Sequence, residues 1–347
     1  RFRGLADLTA HNIKSIEGFD RLWAEEADTI TKRSWQMVLP TIFRNPGSEV
    51  WVTFNPNLDT DETWQRFVVH PPEGAVVVEM SWRDAERAGW FTPEQERLRQ
   101  HDLIYAKDEY PNIWDGKTRS AIAGAIYTRE INDMVSEQRY RPMPYDPRFP
   151  VHRIWDLGWN DLMVVIMVQK VAPSVLNVIN YMEEKFFTYA EMIQALDGLR
   201  YRWGDDWLPH DSDHHHPTSG TNAWKQIKDL TGRAPKDIPK SGDEPRIRAA
   251  RMMWPRVYLD STKRETPTDR PDRNLGGWHL MDRLKRLRRR ITKTTGSEGA
   301  VVEDINIHAG DAWGSLAEIV DQIRNEGDVK RPTIAAFQSS AAGMGSL

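Results

Sequence analysis

Short apolar runs alternate along the chain with longer segments whose apolar positions recur every three or four residues. Ser48–Phe54 is apolar and β-prone, and Pro46-Gly47 before it and Asn55-Pro56-Asn57 after it are turn signals, so a buried strand ending in a loop is predicted there. Phe19–Ala24 predicts another strand and Ala75–Met80 a third. Ile30–Phe43 has helical spacing with Pro40 near its end, and Thr92–Tyr105 reads as a polar helix. Strands alternating with helices predict a parallel α/β sheet.

Arg141–Pro150 holds four prolines, which belong neither inside a helix nor in a central strand. The expected organisation is a domain over 1–141, a stiff linker over 142–150, a second domain over 151–330, and a small, polar, disordered tail over 331–347. Beyond the linker, Val151–Leu157, Leu162–Val171 and Val175–Glu183 predict three strands, with Ala172-Pro173-Ser174 turning between the last two. A helix over Tyr189–Leu199, a strand running into Asp211, a helix near Asn222–Thr231 and a strand over Arg256–Asp260 follow. Leu280, Leu284, Leu287 and Ile291 share one face of a predicted helix, and Asp311–Arg324 predicts the last helix. Three strands followed by alternating helices and strands is the order of an RNase H-like fold.

Composition narrows the classes. With 347 residues, 39% hydrophobic and 28% charged, the chain can build two packed domains. It has no cysteine, which excludes disulfides and thiolate-bound zinc. No apolar run approaches the roughly 18 residues of a membrane span. The net charge of −4 confines any nucleic-acid contact to local patches. The first residue is Arg1 rather than Met, and the start reads as truncated or processed.

Three acids far apart in sequence carry the candidate chemistry. Asp156 lies in the apolar run Arg153-Ile154-Trp155-Asp156-Leu157-Gly158, Asp211 ends Trp207-Leu208-Pro209-His210-Asp211, and Asp311 opens a helix-like stretch. Carboxylates at strand ends and on a facing helix can hold two divalent ions around a phosphodiester. Each acid singly is equally an ordinary turn or helix-start residue. Asp161 and Asp213 are near enough to add ligands, and His210 and His308 flank two of the acids. His214-His215-His216 reads as an exposed polar loop, and Trp159 as a surface on which DNA could stack. Glu25-Glu26 closes the first strand, where a motor ATPase keeps one acid for Mg²⁺ and one to polarise water; an acidic first turn of a helix is the plainer alternative. Thr53 and Asn55 end the next strand, where ligands gather in such sheets. No Gly-x-x-x-x-Gly-Lys-Ser/Thr occurs in the chain. Arg283–Arg290 predicts a basic helix whose Arg286, Arg289 and Arg290 either track DNA phosphates or form a solvated face.

Taken in order, these segments resemble the large terminase subunit of tailed bacteriophages. Ile13–Gly18 leading to Trp23-Ala24-Glu25-Glu26-Ala27 is similar to that family's Walker B region, with Glu25 where many ATPases have Asp. Val50–Pro56 resembles its coupling motif, and Ile113-Trp114-Asp115-Gly116 a motif that closes its ATPase domain. Trp155–Asp161, Leu208–Asp211 and His308–Ala312 resemble its nuclease motifs. The resemblance implies the C-terminal part of a P-loop, ASCE-type ATPase domain followed by an RNase H-like nuclease. It implies ATP-driven packaging of double-stranded DNA into a procapsid and endonucleolytic cutting of concatemers. Glu26 would be the catalytic glutamate and Glu25 the Mg²⁺ partner, with ATP and Mg²⁺ as motor cofactors. Thr53 and Asn55 would couple hydrolysis to movement, and Asp156, Asp211 and Asp311, with Asp161, would bind two Mg²⁺ or Mn²⁺ ions. The implied partners are DNA, the terminase small subunit, the portal protein and further copies of the chain on the portal, in the bacterial host cytoplasm and without a membrane. The missing Walker A segment and the polar stretches Thr262–Asn274 and Thr292–Asp304 depart from the family pattern. A nuclease of RNase H or resolvase type with no motor, and a non-catalytic docking subunit, are the rival readings.

Overall fold

A computed structural model describes residues 18–122, 124–158, 161–210, 212, 222–264, 273–291 and 298–325. The chain divides into two compact units between Ile131 and Asn132.

In the first unit, β1 (Arg21–Ala24) and β2 (Glu49–Val52) pair in parallel, with Trp23 opposite Trp51 and Ala24 opposite Val52. Parallel pairing requires a crossover, supplied by the helix Lys32–Ile42. Thr31 caps it, its Oγ1 accepting from the Ser34 amide at 3.2 Å. Trp35, Val38 and Ile42 bury against Leu22, Val50 and Val52. The predicted polar helix is present as Pro93–Tyr105, capped by Thr92. Ala75–Met80 forms no strand among the described residues. Its Val76, Val78 and Met80 are exposed, and the segment lines a cleft. A β-prone run becomes a strand only where a neighbouring strand meets its backbone groups, and among the described residues β2 pairs with β1 alone.

The second unit is built on a mixed sheet of β3 (Tyr140–Arg141), β4 (Val151–Asp156), β5 (Leu162–Ala172), β6 (Val175–Lys185), β7 (Trp203–Pro209), β8 (Lys236–Ile238), β9 (Val257–Asp260) and β10 (Asn274–Leu275). The spatial order is β3-β9-β6-β5-β4-β7-β8, with β10 against β6. Only β5 and β10 run antiparallel to their neighbours. Tyr140–Arg141 pairs with β9, so the division of the chain falls ahead of the proline run. That run is fastened to the sheet rather than free: Gln169 Nε2 donates to the carbonyls of Asp146 and Phe149, both at 2.7 Å.

Side chains alternate across β4. Val151 and Trp155 pack with Met192, Ile193, Leu196 and Ile227, the buried faces of the helices Tyr189–Asp197 and Ala223–Thr231. Buried Arg153 meets Asp206 of β7 at 2.6 and 2.7 Å, and Trp155 Nε1 donates to the same carboxylate at 2.9 Å, which locks β4 beside β7. The helix Ile307–Ile319 packs on β4 and β5, and the helix Asp243–Met253 packs on it in turn.

Two predicted helices are corrected here. The helix Gly277–Arg286 ends at Leu287, which is extended (φ −67°, ψ 114°), and Arg289–Ile291 forms β11, antiparallel to β12 (Glu298–Val301). Leu287 is buried against Gly310, where an added Cβ would lie 2.7 Å from it, so packing takes the backbone out of the helix. Apolar spacing alone does not register such a break. The last described helix begins at Ile307, which places Asp311 in its second turn and Asn306 at its N-cap.

Candidate active site

Asp156 is the last residue of β4, at the centre of the sheet, where the parallel strands β4 and β7 end together. Ligand sites gather at such strand ends. Beyond Asp156 the chain turns back sharply: a Cβ on Gly158 would lie 2.5 Å from the Leu162 carbonyl oxygen, so only glycine allows the approach. The turn returns Asp161 towards the helix Ile307–Ile319. His308, in the first turn of that helix, has Nδ1 3.0 Å from Asp156 Oδ2 and Nε2 3.3 Å from Asp161 Oδ1. Its imidazole pKa is raised, first by the Asp156 hydrogen bond, against the opposing effect of burial, and further by Asp161. Asp161 is 67% exposed, so its side of the bridge faces solvent.

Asp311 follows His308 by three residues and therefore shares its helix face. Burial, and then the charge of Asp156, push its carboxyl up to about 6. Arg246 opposes that shift, its Nη1 standing 3.2 Å from Asp311 Oδ1. Arg246 Nε also lies 3.6 Å from Glu318, whose other oxygen accepts from Ser241. Gly314 gives Arg246 room, since a Cβ there would lie 3.0 Å from the Arg246 Cβ. Carboxylates from a strand end, a loop and a helix thus share one histidine and one arginine, leaving an excess of negative charge in a partly buried place.

Not every predicted residue is among those described. β7 carries the chain alongside β4 as far as Pro209, but Asp211, Asp213, His214, His215, His216 and Trp159 lie outside the described residues. Among the described residues no group of three or more His, Cys, Asp or Glu side chains is placed to hold a metal ion.

The first unit has its own group of acids. Glu25 and Glu26 follow β1, and Thr53 and Asn55 follow β2; all four line a cleft of about 1050 Å³ with Trp51, Phe67 and Ala75–Met80. Glu26 is left-handed (φ 51°, ψ 45°), a conformation that strains a residue bearing a Cβ. The following residue is held from both sides. The Ala27 amide donates to the Thr53 carbonyl at 3.2 Å, and the Ala27 carbonyl accepts from Thr63 Oγ1 at 2.6 Å, which accepts in turn from Trp35 Nε1 at 2.9 Å.

The predicted basic helix does not present a continuous cationic face. Arg286 is paired with Asp282 at 2.8 Å, while Arg289 and Arg290 lie on β11, with Arg289 2.6 Å from Glu244. Sequence reasoning missed Arg246 because its partner is 65 positions away and its own helix shows no motif.

Residues 1–109 match the family model described as phage terminase large subunit. No match was found among curated proteins. Among solved structures, the chain is similar to a large terminase from a thermophilic bacteriophage (12% identity over 89% of this chain and 71% of that one, TM-score 0.40). It is similar also to the P22 large terminase nuclease domain (16% identity, 53% and 89% covered, TM-score 0.39). A third likeness is to the large terminase nuclease from thermophilic phage G20c with bound cobalt (13% identity, 55% and 97% covered, TM-score 0.35). No described helix is long and apolar enough to cross a membrane. Over its residues 1–109, then, the chain is similar to the phage terminase large subunit family.

Proposed function

We propose that the second unit is an RNase H-like, metal-dependent endonuclease that cuts double-stranded DNA during packaging. One observation carries the reading: Asp156, at the centre of the sheet, is joined through His308 to Asp161 and faces the helix that bears Asp311. The strand order β6-β5-β4-β7-β8, with β5 alone reversed within it, supports the fold assignment.

The residues fit divalent ions in kind. Their donors are carboxylate oxygens, which suit Mg²⁺ or Mn²⁺. Burial first, and then the charge of Asp156, raise the Asp311 carboxyl, and a bound cation would offset both. We assign Asp156 and Asp311, with Asp161 and Asp211, as the ligands of two such ions. Bound ions would supply a nucleophilic hydroxide at neutral pH and offset charge on the leaving oxygen. The chain's own part is orientation: β4 and the helix fix two carboxylates on opposite sides of the site, His308 holds Asp156 and Asp161 together, and Arg246 steadies Asp311.

For the first unit we propose the C-terminal part of an ASCE-type ATPase. Glu26 would polarise the attacking water, Glu25 would bind Mg²⁺ beside ATP, and Thr53 and Asn55 would transmit hydrolysis to DNA movement. The strand-end cleft and the constrained Glu26 backbone support this. Such chemistry needs a glycine-rich loop and lysine around the phosphates, so the assignment holds only together with a loop of that kind. The proposed partners are double-stranded DNA, the terminase small subunit, the portal protein and further copies of the chain on the portal. The proposed setting is the host cytoplasm.

Nicking of supercoiled plasmid in Mn²⁺ tests the nuclease reading. Asp156→Asn, which keeps shape and removes charge, is expected to lower the rate by about 100-fold or more with the melting temperature retained, exceeding the roughly 10–100-fold cost of losing a ligand's supporting group. Cutting at the wild-type rate by the folded variant would overturn it.

A further inference from the structure

A buried polar cluster beside the site is absorbed by none of the roles above. Glu183, on β6, is fully buried, yet its carboxylate meets donors on both oxygens. Oε1 accepts from Asn274 Nδ2 at 2.5 Å and Arg283 Nη2 at 2.5 Å; Oε2 accepts from the Tyr181 hydroxyl at 2.5 Å and Arg283 Nε at 3.0 Å. Burial works against the Glu183 charge, but the Arg283 hydrogen bonds outweigh it and lower the carboxyl's pKa. A buried ion pair of this kind adds little net stability over an apolar replacement, so stability alone does not account for it.

The remaining terminal nitrogen of Arg283 points to another element. Nη1 donates to Asn306 Oδ1 at 3.4 Å. Asn306 is the N-cap of the helix Ile307–Ile319, but its side chain makes no cap hydrogen bond. It is instead used by Arg283 on one side and by Asp304, at 2.8 Å, on the other. An N-cap asparagine ordinarily turns inward to the free amides of its own helix. Here the buried side chain is engaged by Arg283 and Asp304 instead, and His308 and Asp311 stand two and five residues further along that helix. Across the sheet, Val164 of β5 is in register with both Asp156 and Glu183, so the strand carrying Asp156 and the strand carrying Glu183 flank a single common strand.

We infer that Glu183, Arg283 and Asn306 form a positioning relay that references the start of the helix Ile307–Ile319 to the sheet, and so sets His308 and Asp311 at the correct depth opposite Asp156. Arg283 and Asn306 are positioning residues, since neither touches the reacting groups. The inference rests on the nuclease reading for its consequence and on the hydrogen-bond geometry for its mechanics.

The test uses the full chain with Asn306→Ala and Arg283→Lys, the second retaining a charge for Glu183 while losing the reach to Asn306. Glu183→Gln serves if Arg283→Lys does not fold. Two readouts are needed. Calorimetry with MnCl₂ is expected to show Mn²⁺ affinity reduced by about 10–100-fold, the range for groups that orient ligands from behind, with plasmid nicking recovered at saturating Mn²⁺. Amide hydrogen exchange without metal is expected to speed up over residues 304–311 and not over β4 or β5. Mn²⁺ affinity within twofold of wild type and unchanged exchange over 304–311, in folded variants, would overturn the relay. Because exchange is read without metal, it judges the relay even if Asp156→Asn nicks normally, which would instead remove the nuclease reading.

Discussion

At the scale of single residues, burial decides which groups carry charge. His279, in the first turn of the helix Gly277–Arg286, has its pKa lowered to about 4, chiefly by burial, although the charges of Glu183 and Asp282 push the other way. The folded state therefore favours neutral imidazole, while the unfolded chain titrates near 6.5. Between those values the unfolded chain binds more proton, so stability is complete above about pH 6.5 and falls as the pH drops towards 4. Thermal melts over that interval should show this decline in wild type and a shallower one in His279→Gln; identical slopes would contradict the burial of a neutral histidine. The same scale shows what sequence conveys. Asp156 is legible because it is an acid set within an apolar run that closes on Gly158. The Glu183–Arg283 pair is not, because its partners are 100 positions apart and lie on elements whose own periodicity accounts for them without a charge.

At the scale of elements, strands bounded by turn residues were readable: β2 between Pro46-Gly47 and Asn55-Pro56, and β5 and β6 on either side of Pro173. The helices that the structure caps with Thr31, Thr92, Thr188 and Asn222 begin within a residue or two of their predicted starts. What failed depends on neighbours. Ala75–Met80 has strand composition but no partner strand among the described residues, and the helix through Arg290 stops where Leu287 meets Gly310. The entry to that helix is equally constrained, since a Cβ on Gly277 would fall 2.1 Å from the Asp260 carbonyl oxygen, a backbone atom that cannot swing away. Gly277→Ala is accordingly expected to destabilise the second unit by about 1–3 kcal/mol, as overpacking does, despite alanine's higher helix propensity. Urea unfolding followed by near-ultraviolet circular dichroism measures this, and a variant as stable as wild type would mean that the helix–β9 contact is looser than described.

At the scale of the whole molecule, the alternation of strands and helices was enough to place the chain in the α/β class, and the strand count after the proline run was enough to suggest the central sheet. The proline run has the composition of a linker, while in the structure Tyr140–Arg141 pairs with β9 and Gln169 holds the run to β5, contacts that no local pattern encodes. The candidate site has the same character. Its acids come from a strand end, a loop and a helix, so each is ordinary alone, and only the fold brings His308 between two of them.

The central claim is that these carboxylates exist to hold divalent cations. Calorimetric titration of MnCl₂ into the wild-type chain and into the double variant Asp156→Asn/Asp311→Asn tests it most directly, with circular dichroism to establish that both are folded. The account predicts saturable Mn²⁺ binding by the wild type and its loss, by at least about 100-fold in affinity, in the double variant, well beyond what removal of a supporting group costs. Equal Mn²⁺ binding by the two folded proteins would contradict it.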